Sequence, residues 1–196
     1  QGLQLCLTHC NLGLIEMNIF KKTAHEYPGI VGKMCLAAIS AGARIMAVYS
    51  EDDFGVEMKG DDSPITCADR LADKVIGKIL KQNFPDIPIV SEESNCDLTS
   101  AMGDIYFLVD PLDGTKEFIK KTGEFTVNIA VILNGKAELG VVYVPATKEL
   151  YYRDLDGLSY LERDVSDFEG RGERTQISCR SADMDNLSVV RSVSHS

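Results

Sequence analysis

Ile105-Tyr106-Phe107-Leu108-Val109-Asp110-Pro111-Leu112-Asp113-Gly114-Thr115 runs from an apolar stretch straight into two carboxylates. Ile105–Val109 reads as a buried strand. Pro111 lacks an N–H and is expected to end the ladder. Gly114 lets the backbone turn sharply and approach a ligand closely. Such a turn aims Asp110, Asp113 and the Leu112 carbonyl at one point, with the Thr115 hydroxyl beside them. Oxygen-only donors of this kind suit Mg²⁺ rather than zinc.

The competing interpretation is an ordinary turn, since Asp, Pro and Gly gather after strands for conformational reasons alone. The stretch upstream weighs against it. Ile87–Val90 is a second short apolar run, and it ends in Ser91-Glu92-Glu93-Ser94. Two neighbouring strands that both finish in acids place Glu92, Asp110 and Asp113 at one sheet edge. Three carboxylates there repel one another unless a cation sits among them.

The 196 residues make one domain or two small ones. A chain that is 44% hydrophobic and 26% charged has the composition of a soluble globular protein. The net charge of −10 argues against a nucleic-acid polymer as partner. It leaves room for a nucleotide-sized ligand, because a metal can carry the positive charge. Cys6, Cys10, Cys35, Cys67, Cys96 and Cys179 are scattered, with no CxxC pair and no zinc spacing, as reduced thiols in a cytoplasmic protein would be. Gln1–Ile15 lacks a basic leader region and is too short and polar to cross a bilayer, so no transmembrane segment is expected. Met17 is a candidate natural start, with Gln1–Glu16 upstream of it.

Apolar residues from Val31 to Tyr49 recur at helical spacing and predict a helix over about Pro28–Tyr49, with Ala38, Ala41 and Gly42 allowing close packing. Glu51-Asp52-Asp53 and Lys59-Gly60-Asp61-Asp62 form a charged loop, either simply solvated or a cover over an active site. Thr66 and Asp69 have capping-box spacing at the start of a second helix, whose stripe of Leu71, Ala72, Val75, Ile76, Ile79 and Leu80 ends near Gln82. Asp69 therefore has a structural role available as a cap, beside a catalytic one. Strands follow. Phe125–Leu133 and Leu139–Val144 flank Asn134-Gly135, a strong hairpin signal. Glu149–Arg153 and Leu158–Glu162 flank Asp156-Gly157. Val165–Arg174 reads as a loop, and Gln176–Ser178 and Ser188–Ser192 as two short strands. The class is α+β, with two N-terminal helices on a large antiparallel sheet.

Chemically, Asp110 bridging two Mg²⁺ ions would clamp a phosphate oxygen and a water, with Thr115 and a nearby acid orienting that water. His9, His25 and His195 stand outside the acidic cluster in sequence. A D-x-D-x-T phosphatase of the haloacid dehalogenase type is excluded by the D-x-x-D-G-T spacing and the missing early βαβ pattern. An EF-hand is excluded by the acid spacing.

Ser91-Glu92-Glu93 followed by Asp110-Pro111-Leu112-Asp113-Gly114-Thr115 resembles the metal signature of the inositol monophosphatase superfamily of lithium-sensitive phosphatases. The longer string DPLDGTKEFIKKTGEFTVNIA, with DDSPITCAD before it and GVVYVPA after it, is similar to the CysQ-type branch, the 3′(2′),5′-bisphosphate nucleotidases. These hydrolyse 3′-phosphoadenosine 5′-phosphate to AMP and phosphate in sulfur assimilation and nucleotide recycling. Lys116-Glu117-Phe118 is the local mark that favours this branch over inositol- or sugar-phosphate phosphatases. The likeness runs from about Ile30 to His195.

The resemblance implies the family's layered α/β sandwich and roles position by position. Glu92, Asp110 and the Leu112 carbonyl would bind a first Mg²⁺, and Asp110 and Asp113 a second. Asp69 would support a third metal and the attacking water together with Thr115. Asp69, Glu92 and Thr115 would be catalytic. Glu92, Leu112, Asp113, Gly114 and Thr115 would line the substrate, the backbone of Gly114 and Thr115 holding the scissile phosphate. The family's last metal-ligand Asp, in a Trp-Asp pair, has no counterpart, since the chain has no Trp.

The expected organisation is an N-terminal extension over 1–23, a metal-binding phosphatase domain over 24–185, and over 186–196 the start of a second α/β domain that is largely missing. The chain by itself is accordingly expected to be weakly active or inactive, or a metal- or partner-binding fragment, with the full-length parent as the enzyme. An uncovered edge near Ser188–Ser192 is expected to favour a homodimer or aggregation.

Overall fold

The computed structural model describes residues 27, 29–51, 57–58, 64–93, 103–169 and 172–179. The extension over 1–23, the strand and exposed edge at Ser188–Ser192, the three histidines, and Cys6, Cys10 and Cys96 lie outside the described residues.

Helix α1 spans Ile30–Tyr49 and helix α2 spans Cys67–Asn83. Their apolar stripes face inward: Met34, Ala38, Ala41 and Ile45 of α1, with Ala72, Ile76 and Leu80 of α2, are fully buried. By length and composition α1 passes for a membrane span, but it packs against α2 and one face of the sheet as a core helix. Between the helices, the expected charged loop contains a two-stranded ribbon, β1 at Glu57–Met58 and β2 at Pro64–Ile65; residues 52–56 and 59–63 lie outside the described residues.

The main sheet has seven strands in chain order: β3 Ile89–Ser91, β4 Ile105–Asp113, β5 Thr126–Leu133, β6 Lys136–Val144, β7 Glu149–Arg153, β8 Ser159–Glu162 and β9 Thr175–Ile177. It is mixed rather than wholly antiparallel, because β3 runs parallel to β4. All other neighbours are antiparallel. The Asn134-Gly135 turn is the predicted two-residue hairpin. Both residues have positive φ, 51° and 78°, the geometry whose twist matches the flanking strands.

Two expectations about β4 need correction. Pro111 does not end the ladder; β4 continues through it to Asp113. And a short helix, α3 at Thr115–Ile119, follows at once, where only a turn was expected. Pro111 fits within the strand because the register slips there. Asp110 faces Asn128 and Asp113 faces Thr126, so Pro111 and Leu112 oppose Val127 alone. This is a β-bulge, where a missing N–H is tolerated.

Three rings lock α3 to the body. Tyr49 lies 5.2 Å from Phe118 and 5.0 Å from Phe125, and those two lie 5.3 Å apart, centroid to centroid. Lys121 adds a polar tie. Its ammonium donates to the carbonyls of Tyr49 and Glu51 at the end of α1 and sits 4.7 Å above the Tyr49 ring.

Gly42 marks the closest approach of α1 to the sheet. A methyl group there would lie 2.4 Å from Cε1 of Tyr143. That ring cannot swing aside: it is 3% exposed, and its hydroxyl donates to the Val165 carbonyl at 2.5 Å. Overpacking costs about 1–3 kcal/mol, more than the roughly 1 kcal/mol that alanine gains over glycine in a helix. Gly42→Ala is therefore expected to lower the thermal unfolding midpoint rather than raise it, as differential scanning calorimetry can check.

Candidate active site

The acidic residues come together through the parallel β3–β4 pair and the bulge. Ser91 pairs with Val109, and the Glu92 N–H donates to the Val109 carbonyl at 3.0 Å, so Glu92 emerges beside Asp110. In an uninterrupted strand, residues three apart point to opposite faces. The extra residue at Pro111-Leu112 reverses that parity, and Asp110 and Asp113 come to face the same side.

The electrostatics follow from this placement. Burial pushes the Asp110 carboxyl up from 3.8 to about 7, with the nearby charges of Glu92 and then Asp113 adding to it. A side-chain hydrogen bond with Glu92 acts in the same direction, while a backbone hydrogen bond at Leu112 opposes it. Asp113 accepts a hydrogen bond from Asn128 Nδ2 at 3.2 Å.

Asp69 approaches from the helix side and is 1% exposed. Its Oδ2 accepts from the Thr66 N–H at 2.7 Å and the Thr66 hydroxyl at 2.6 Å, which is the capping box expected from the sequence. Its Oδ1 lies 3.2 Å from Thr115 Oγ1, and Thr115 Oγ1 also lies 3.2 Å from the Leu112 carbonyl oxygen. The hydroxyl has one proton for these two acceptors, so it donates to one at a time. Thr115 is thus the link between Asp69 and the β4 turn. Gly114, which initiates α3, has φ 91°, and a Cβ there would sit 2.8 Å from the Glu124 carbonyl. Only glycine makes this turn without strain.

Sequence reasoning passed over three residues beside the site. Asn128 and Thr126 sit on β5 directly across from the acids. Asp73 of α2 accepts a 2.5 Å hydrogen bond from the Ser91 hydroxyl and so steadies the end of β3. An asparagine inside the apolar strand TVNIAVIL was the available signal for the first.

Glu92, Asp110, the Leu112 carbonyl and Asp113 supply oxygen only, and Asp110 is a half-buried acid crowded by others. Both properties fit a hard dication. Among the described residues no three or more His, Cys, Asp or Glu side chains come together as a group that could hold a metal ion by themselves. Mg²⁺ does not require one, since it keeps several waters and takes one or two carboxylates. A cleft of about 540 Å³ opens beside these acids, lined by Ser91, Glu92, Leu108, Asp110, Asn128 and Gly140 among others. A second hollow, of about 410 Å³, lies near Tyr152, Asp154, Glu162 and Arg174. Its polar groups satisfy each other: Tyr152 donates to Glu162 at 2.8 Å, and Arg174 donates to Asp154 at 2.7 Å.

Residues 30–195 match the model of the inositol monophosphatase family. The chain belongs to that family. Among its relatives, the 3′(2′),5′-bisphosphate nucleotidase CysQ of Salmonella typhimurium is 44% identical over 162 residues, covering 82% of this chain and 63% of that protein. The crystal structure of CysQ from Bacteroides thetaiotaomicron superposes with a TM-score of 0.67 at 36% identity, over 80% of this chain and 60% of that one. The Nus factor SuhB of Pasteurella multocida is 36% identical over 116 residues, 59% of this chain and 43% of that protein. The chain thus spans less than two thirds of the length of each of these relatives. The family fold, two helices against a large sheet, is the one described above.

The raised Asp110 carboxyl has a consequence for the metal-free protein. The fold retains a proton there that the unfolded chain releases near pH 4. The stability this contributes is complete below about pH 4 and is lost as the pH rises through about 7. In EDTA, the unfolding midpoint of wild type relative to Asp110→Asn is expected to fall between pH 4 and pH 7.5. A pH-independent difference between the two would contradict it.

Proposed function

We propose that the protein to which this chain belongs is a Mg²⁺-dependent phosphomonoesterase that removes the 3′-phosphate of adenosine 3′,5′-bisphosphate, giving AMP and phosphate. The observation that carries this reading is the set of oxygen donors gathered by the bulge, with the Thr115 hydroxyl bridging Asp69 and the Leu112 carbonyl. Glu92, Asp110, the Leu112 carbonyl and Asp113 would hold the metal, with Asp69 supporting it from the helix side. Bound Mg²⁺ would polarise the phosphate ester and lower the pKa of a water.

The chain's own groups then do the following. Thr115 donates to Asp69, which leaves a lone pair of Oγ1 to accept a hydrogen bond from an attacking water; as that water's proton passes to Oγ1, the Oγ1 proton passes to Asp69. Asp69, reached through Thr115, is the acid–base partner of that water. The backbone at Gly114 and Thr115 holds the phosphate, and Glu92, Leu112 and Asp113 line the same side. The buried capping box fixes Asp69, so the arrangement is set before substrate arrives.

Lys116-Glu117-Phe118 and the names of the 44–48% identical relatives support the nucleotide as substrate. Among the described residues Cys35, Cys67 and Cys179 form no disulfide, which supports a cytoplasmic setting. An inositol- or sugar-phosphate phosphatase on the same fold is the second reading, favoured by the likeness to the solved inositol monophosphatase of Anabaena, 26% identical with a TM-score of 0.56.

Phosphate release from adenosine 3′,5′-bisphosphate and from inositol 1-phosphate, measured with Mg²⁺ and with or without Li⁺, tests the proposal. The expected result is Mg²⁺-dependent, Li⁺-inhibited turnover of the nucleotide, reduced on the order of 100-fold or more in Asp113→Asn. Preference for the inositol ester would establish the second reading. Turnover of either ester unaffected by EDTA would overturn both.

A further inference from the structure

Asn128 sits on β5 directly opposite Asp110, and Thr126 directly opposite Asp113. Asn128 Nδ2 donates diagonally to Asp113 Oδ2 at 3.2 Å, and Thr126 Oγ1 donates to Asn128 Oδ1 at 3.1 Å. The direction of this short chain is fixed by chemistry. An ionised carboxylate accepts and cannot donate, so the amide must turn its NH₂ toward Asp113. Its carbonyl oxygen is then left for the Thr126 hydroxyl, which has a proton to give. Each group has one orientation that satisfies all three.

We infer that Asn128, held in its orientation by Thr126, is a positioning residue that fixes the Asp113 carboxylate for cation binding. Asp113 is solvent-exposed, and Thr126 across from it is the first residue of β5. Among the described residues its carboxylate has no other hydrogen-bond partner. A lysine or arginine at position 128 would restrain it as well, but would neutralise the charge a cation needs. An aspartate would add a further repelling carboxylate. An amide donor holds the oxygen and leaves the charge in place, and carboxylate ligands commonly depend on such outer partners.

This inference rests on the metal reading of the site, and the test separates the two. Mn²⁺ serves as the probe, because its sharp solution electron paramagnetic resonance spectrum is lost on binding. Titrations are run on wild type, Asn128→Ala, Thr126→Val and Thr126→Ser, with unfolding midpoints in EDTA as a check on folding. Asn128→Ala is expected to weaken Mn²⁺ binding about 10–100-fold. Thr126→Val is expected to weaken it less, and Thr126→Ser, which keeps the hydroxyl, to bind like wild type. If Asn128→Ala does not fold, the contrast between valine and serine at position 126 decides. Wild type that binds Mn²⁺ with both Asn128→Ala and Thr126→Val unchanged would overturn this inference alone. Wild type that binds no Mn²⁺ would overturn the metal reading and the inference together.

Discussion

Strand geometry forbids what this site requires, and one extra residue removes the obstacle. Side chains alternate between the two faces of a sheet, so carboxylates three positions apart belong on opposite sides. The bulge at Pro111-Leu112 inserts the single residue that brings Asp113 round to the face of Asp110. It also exposes the Leu112 carbonyl to Thr115 and brings the chain to Gly114, where the left-handed turn starts α3. The parallel pairing of β3 with β4 then sets Glu92 beside Asp110. Shift either register by one residue and the acids separate.

Gathering like charges works against stability, and neutral donors hold several of these acids. Amide and hydroxyl donors from Asn128, Thr66 and Thr115 hold the acids, while the Asp110 carboxyl is held near neutrality by burial and its neighbours. One positive side chain just beyond α3 is engaged elsewhere. Lys121 is directed to the end of α1, where it donates to the carbonyls of Tyr49 and Glu51.

Much of this was legible in the sequence. The two helices followed from the 3.6-residue spacing of apolar groups, the capping box from Thr66 and Asp69, and the hairpin from Asn134-Gly135. The motif Asp110 to Thr115, with Ser91-Glu92-Glu93, pointed to the family. What escaped was the part set by pairing between strands. A proline after an apolar run signals termination locally; only the partner strand, two residues against one, turns it into a bulge. The direction of β3 is likewise decided by what it pairs with. Asn128 reads as an isolated polar residue in an apolar strand until Asp110 and Asp113 are placed across from it. The short α3 depends on the ring contacts of Phe118 with Phe125 and with Tyr49, the latter remote in sequence.

That ring contact ties the order of the acidic turn to the far end of a core helix. Tyr49 is the last residue of α1, where helices fray first, and it carries both aromatic neighbours and the backbone carbonyl that Lys121 grips. Fraying of one helical turn there would release α3 and let Gly114 and Thr115 drift, with the sheet and both helices otherwise intact. Heating is therefore expected to disorder the acidic turn before the scaffold unfolds.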